Sequence, residues 1–112
     1  MHELGISRNI VAIVGEAAGS RRVRRVTLEI GKLAGVMPDA ILFCFELAAQ
    51  GTLVEGAALE IREVKPRMRC LACDDEFDAP GYGAACACGS RRVAAVAGEE
   101  LNIKTMELEE VR

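Results

Sequence analysis

Four cysteines in two close pairs, Cys70-Leu71-Ala72-Cys73 and Cys86-Ala87-Cys88-Gly89, constrain this chain more than any other feature. Two pairs on tight turns, separated by residues 74–85, bring four thiolates to one tetrahedral centre, with metal–sulfur bonds of ~2.3 Å for zinc. Gly89 supplies the backbone freedom that the second turn needs. A centre filled by four sulfurs leaves no position for water or substrate, so its metal is structural and not catalytic. Sulfur ligands alone leave rubredoxin-like iron open, although Ala87 makes the second gap narrower than such a site normally uses. Ordinary reduced thiols on a loop and a pair of disulfides are the plainer alternatives. The first is rare at this density, and the second needs an oxidising compartment.

The surrounding composition says where such a metal site must sit. Between Pro66 and Gly98 the regular apolar pattern gives way to Gly, Ala and Cys with one Val-rich patch. That stretch is too poor in apolar residues to hold itself folded without metal. Outside it the pattern is regular. Ile6, Ile10, Ile13, Val14 and Ala17 recur at helical spacing, which predicts a helix over residues 5–18 ending at Gly19. Val26, Leu28 and Ile30 alternate with Arg25, Thr27 and Glu29, a strand with one buried face. Pro38 suits the first position of a second helix, which carries Ile41, Leu42, Phe45 and Ala48 inward and stops near Gly51. Cys44, beside Phe43 and Phe45, reads as a small core hydrophobe. Leu59 and Ile61 mark another strand. Leu101 to Val111 marks a last one, whose switch from Ile103 to Met106 suggests a bulge.

The expected fold is therefore α+β: two helices packed on a small, mainly antiparallel sheet, with an inserted zinc-ribbon-like four-cysteine module. The expected domains are residues 1–66 with 99–112, and the metal module 67–98 inserted between strands of the first. The 112 residues have room for that and little more.

Charge and targeting narrow the function classes. The net charge is −3 and aromatics make up 4%, which gives no general reason to seek nucleic acid or an acidic membrane. Arg21, Arg22, Arg24 and Arg25 invite a nucleic-acid reading, but a charged strand face paired with Glu107, Glu109 and Glu110 explains them as well. The apolar run Ile10 to Val14 is broken by Gly15 and Glu16, so no signal peptide or membrane span is expected and the chain is placed in the cytoplasm. There the cysteines favour metal over disulfides. No Ser, Cys or Lys has an evident activating base, so an enzyme is not expected.

His2, the sole histidine, is followed by Glu3. Methionine aminopeptidases generally leave Met1 in place before a residue as large as His. The Met1 amine, the His2 amide and the His2 imidazole then form fused five- and six-membered chelate rings, with the Glu3 amide as a fourth nitrogen. Such a nitrogen set suits square-planar Ni(II) or Cu(II) and fits tetrahedral zinc poorly. The default reading is a solvated histidine. A zinc-ribbon module for nucleic acid or a transcription complex would use the cysteines and give His2 no role, and an iron-bearing electron carrier would make the cysteine site redox-active.

Met1-His2-Glu3-Leu4, the two-helix α+β pattern, the cysteine pairs and the final strand together resemble the HypA/HybF family of hydrogenase nickel-incorporation proteins, over essentially the entire chain. The resemblance implies a nickel metallochaperone. It implies His2 as the key nickel ligand, assisted by the Met1 amine, neighbouring amides and the position of Glu3, and structural zinc on Cys70, Cys73, Cys86 and Cys88. It further implies a GTPase partner and delivery to the large subunit of [NiFe]-hydrogenase, with urease as a second client of some members. A monomer or weak homodimer is expected. One departure stands out: the family's second pair usually has two residues between its cysteines, whereas here Ala87 stands alone.

Overall fold

Pro38 fixes a backbone angle ready for helix and needs no N–H partner, and the sequence around it folds as such. In the computed structural model, which describes residues 2–110, helix α2 runs Pro38–Ala49. The order is α1 (Glu3–Ala18), β1 (Val23–Gly31), α2, β2 (Ala58–Val64), β3 (Arg67–Cys70), β4 (Glu76–Asp78), β5 (Val93–Ala97) and β6 (Leu101–Leu108). This is the expected α+β architecture. The strands form two three-stranded sheets, β2-β1-β6 and β4-β3-β5. In the first, Glu109 N–H bonds Arg22 O and Gly31 N–H bonds Glu100 O, so β6 runs against β1. Val23 N–H bonds Leu53 O and Lys32 N–H bonds Val64 O, so β2, reached through α2, runs with β1. In the second, β3 pairs antiparallel with β4 and with β5, with a register shift at Arg67/Met68.

The described residues fall into two compact units. One holds both helices and Val36–Arg62. There α1 packs on α2, and Ile10, Val14, Val26, Ile41, Phe45 and Val54 are buried. The buried stripe of α1 differs from the expected one: Glu3, Ser7, Ile10, Val11, Val14 and Ala18 face inward, while Ile13 is 58% exposed. The helix is rotated to bring Glu3 in, and it starts earlier than expected for the same reason. On α2, Ile41, Phe45 and Ala49 are buried. Leu42, expected inside, is 41% exposed. The alternation in β1 is also incomplete, because Thr27 is buried together with Val26 and Leu28, as befits a central strand covered on both faces. In β6 the half-buried residues are Ile103, Met106 and Leu108, the switch of face that the sequence suggested.

The other unit comprises Glu29–Gly35 and Glu63–Leu101. Its core is small: within the ribbon, Met68, Cys70, Ala79 and Cys86 are buried, and two of these are cysteines. The Glu29–Gly35 segment joins it through very close backbone packing. Leu33 N–H bonds Gly98 O at 2.7 Å, and a Cβ built on Gly31 falls 1.9 Å from that same oxygen. Gly98 has φ +109°, and a Cβ there meets Pro66 Cα at 2.8 Å. Neither position has room for a side chain. Among the described residues no helix is long and apolar enough to cross a membrane.

Candidate metal centres

Each cysteine pair is shaped by a turn. In the first, Asp74 N–H bonds Cys70 O at 2.9 Å and Cys70 N–H bonds Asp75 O at 2.8 Å, closed by Asp74 in a left-handed conformation, φ 67°. Asp tolerates that region better than most residues. In the second, Gly89 N–H bonds Cys86 O at 2.8 Å and Cys86 N–H bonds Ser90 O at 2.9 Å, with Gly89 at φ 93°. The turn over Ala87 therefore closes despite its shortness.

The two turns bring all four sulfurs to within 4.8 Å of one another. Cys70 Sγ lies 3.7 Å from Cys88 Sγ, and Cys73 Sγ lies 3.6 Å from Cys86 Sγ. A tetrahedron with ~2.3 Å zinc–sulfur bonds has edges of about 3.8 Å, so the cluster fits such an ion. A disulfide needs ~2.05 Å, and the cysteines are free thiols. Cys70 and Cys86 are buried, Cys73 and Cys88 exposed.

Backbone amides tune the sulfurs unequally. The Cys73 N–H, and after it the Ala72 N–H against the opposing effect of burial, draw the Cys70 thiol down to about 6. At Cys73 the Asp75 N–H favours thiolate, but the Cys86 and Cys70 sulfurs and burial outweigh it and push the thiol up to about 12. At Cys86 the Cys88 N–H favours thiolate, yet burial and the Cys88 sulfur together raise the pKa. Cys70 gives up its proton readily, whereas Cys73 and Cys86 resist. A bound cation removes that resistance, so metal entry displaces protons.

The N-terminal constellation is only partly within the described residues, since Met1 lies outside them. His2 is exposed, immediately ahead of α1. Its carbonyl accepts the first helical bond, from Ile6 N–H at 3.0 Å. The N–H groups of His2 and Glu3 thus stand at a helix end, where no helical hydrogen bond uses them. Glu3 is 7% exposed, and its Oε2 accepts a 3.2 Å bond from Met37 N–H. That bond, followed by the one from its own N–H, holds its pKa below the ordinary carboxylate value. Met37 is the residue before α2 and offers no side-chain cap; Glu3 accepts its N–H, the part that a Glu at the third helical position plays in a capping box and that Ala40 there cannot.

The arginine cluster is matched locally. Arg24 pairs with Glu107 at 2.9 Å and Arg25 with Glu107 and Glu60 at 3.1 and 3.3 Å. Arg21 and Arg22 donate to the carbonyls of Glu109 and Glu55. Cys44 is half-buried on α2.

A small α+β unit beside a ribbon whose four cysteine sulfurs could hold one ion marks the class of candidate metal-binding proteins. Comparison with known proteins narrows the class. Residues 1–108 match the family described as hydrogenase/urease nickel incorporation, metallochaperone, HypA, and the chain belongs to that family, whose members are metallochaperones and not enzymes. It is 53% identical to a hydrogenase maturation factor HypA of Trichormus variabilis, covering 99% of this chain and 98% of that one. It is 50% identical to one of Geobacter metallireducens, covering 97% and 100%. Among solved structures it resembles the solution structure of a HypA protein, with TM-score 0.74 and 27% identity over 97% of each chain. It also resembles that of the Ni metallochaperone HypA from Helicobacter pylori, with TM-score 0.70 and 26% identity over 96% and 97%.

Proposed function

We propose that the chain carries one transferable Ni(II) at Met1, His2 and Glu3, with the His2 amide and imidazole as its chelating core, while Cys70, Cys73, Cys86 and Cys88 hold a resident zinc. The observation that carries this reading is the position of His2. It is exposed and directly precedes a helix whose first two amides can lose their protons without breaking a helical bond. Amidate nitrogens and imidazole give the strong in-plane field that Ni(II) prefers. Their negative charge also offsets the positive end of the α1 dipole, which opposes a bare cation. Glu3 adds negative charge at the same helix end, its carboxylate also accepting from Met37 N–H.

The two sites differ in how firmly they hold. Four thiolates inside a folded ribbon bind zinc with a share of the folding energy on the order of 10 kcal/mol, so that ion stays. A chelate built on the chain end opens by fraying and exchanges its metal on contact with an acceptor. Delivery accordingly proceeds by ligand exchange at His2, with no covalent step, to the large subunit of [NiFe]-hydrogenase or to urease, assisted by a nickel-handling GTPase in the cytoplasm. In this reading residues 1–66 with 99–112 form the nickel domain and 67–98 the zinc module. The small core of that module supports its dependence on metal.

The test is calorimetric titration with Ni(II), combined with metal analysis, on a chain whose amine begins at Met1. One zinc and one weaker nickel per chain are expected. His2→Ala, and separately an N-terminal extension that displaces the amine, should each abolish nickel uptake and leave zinc in place. Stoichiometric nickel retained by both variants contradicts the site.

A further inference from the structure

A surface helix normally turns its apolar stripe inward and its charge outward. α2 buries Ile41, Phe45 and Ala49, yet its opposite face carries Leu42, Phe43 and Leu47 at 41%, 64% and 46% exposure. Phe43 and Leu47 are one turn apart and form a continuous apolar edge. This edge borders two adjoining cavities of about 450 and 460 Å³, which share Phe43, Phe45, Glu46 and Ala57 and run together between α2 and residues 54–59. The result is a groove along one side of the helix.

Charge decides what fits it. Asp39, Glu46 and Glu55 line the groove, and no Lys or Arg is among its lining residues. Glu55 accepts from Gly51 N–H, whereas among the described residues no ion pair neutralises Asp39 or Glu46. Two uncompensated carboxylates thus flank an exposed aromatic ring and two leucines. We propose that this groove docks an amphipathic helix of a partner protein whose apolar stripe is bordered by lysines or arginines. α2 is 12 residues long, ~18 Å at 1.5 Å per residue, enough to seat apolar residues of the incoming helix at i, i+3/i+4 and i+7. Its cations meet Asp39 and Glu46, and one of them can also stack on the face of Phe43. None of these residues belongs to either metal centre, so docking and nickel binding are separable.

The probe is a synthetic amphipathic Leu/Lys peptide of about 14 residues, roughly 21 Å as a helix, titrated into the isotope-labelled, zinc-loaded full chain. A control peptide has the same leucines and glutamates in place of the lysines. Saturable amide shifts confined to residues 39–59, produced by the lysine peptide and absent with the glutamate peptide, are expected. Phe43→Ser and Glu46→Lys should each weaken binding about tenfold or more, with thermal midpoints showing that both variants remain folded, and added salt should weaken it further. Shifts spread over the arginines or the ribbon, equal response to both peptides, or undiminished binding by folded Phe43→Ser overturn the proposal. So does concentration-dependent shifting of the same residues without peptide, which assigns the groove to a second copy of this chain. Nickel uptake unchanged by Phe43→Ser keeps this result distinct from the fate of the His2 site.

Discussion

At Glu3 a carboxylate far away in sequence supplies the acceptor that α2 lacks locally. In the proposed site His2 is the central ligand, so Glu3→Ala should cost nickel affinity far less than His2→Ala. It should instead raise amide exchange at Met37 by roughly tenfold, as loss of a hydrogen bond worth about 1 kcal/mol gives; Glu3→Gln, which keeps an acceptor, should restore most of the protection. Equal nickel losses in Glu3→Ala and His2→Ala would count against the assignment. A second residue-scale expectation concerns Gly31. A Cβ there lies 1.9 Å from Gly98 O, so Gly31→Ala must push apart backbone that Leu33 N–H and Gly98 O hold at 2.7 Å. Destabilisation by more than about 1 kcal/mol in denaturant unfolding is expected. The cysteine cluster was legible because cysteine is rare and the spacing within each pair is local. The Glu3–Met37 bond and the Gly31–Gly98 contact were not, because each joins residues distant in the chain.

Helices and strands were legible as elements, but the faces they bury were less so. Period and Pro38 located α2 correctly, yet Leu42 and Ile13 look inward by spacing and stand outside. Hydrophobicity alone cannot tell a core stripe from an apolar surface that awaits a partner. On α1 the polar Glu3 and Ser7 occupy the buried stripe, a placement invisible to apolar periodicity. Where the buried face is unambiguous the energetics follow: Ile41, at 0% exposure, changed to Ala should cost ~2–5 kcal/mol, measured by the denaturation midpoint. The ribbon behaves differently. Its sheet β4-β3-β5 encloses few apolar side chains besides Cys70 and Cys86. Chelation should abolish amide protection in β3, β4 and β5 while α1 and α2 keep theirs. Protection that survives in β5 of the metal-free chain would contradict a fold held by metal.

For the molecule as a whole, the account is a division between two kinds of ligand. Sulfurs 3.6 and 3.7 Å apart fit a tetrahedral ion inside folded structure, and the proposed nitrogen donors at the start of α1 would give a planar set that opens easily. The fold class and the family were legible from the whole chain read together, since the pairing of Met1-His2-Glu3 with a late four-cysteine ribbon is far more specific than either part. What sequence did not supply was the segmentation: Glu29–Gly35 joins the ribbon's compact unit, drawn there by the close backbone packing at Gly98. The most direct measurement is X-ray absorption at both metal edges on one sample loaded with zinc and a single equivalent of nickel. The account predicts four sulfur neighbours at about 2.3 Å around zinc and only nitrogen or oxygen neighbours in a planar field around nickel, with the nickel signal lost in His2→Ala. Sulfur in the nickel shell, or nickel retained without His2, would contradict it.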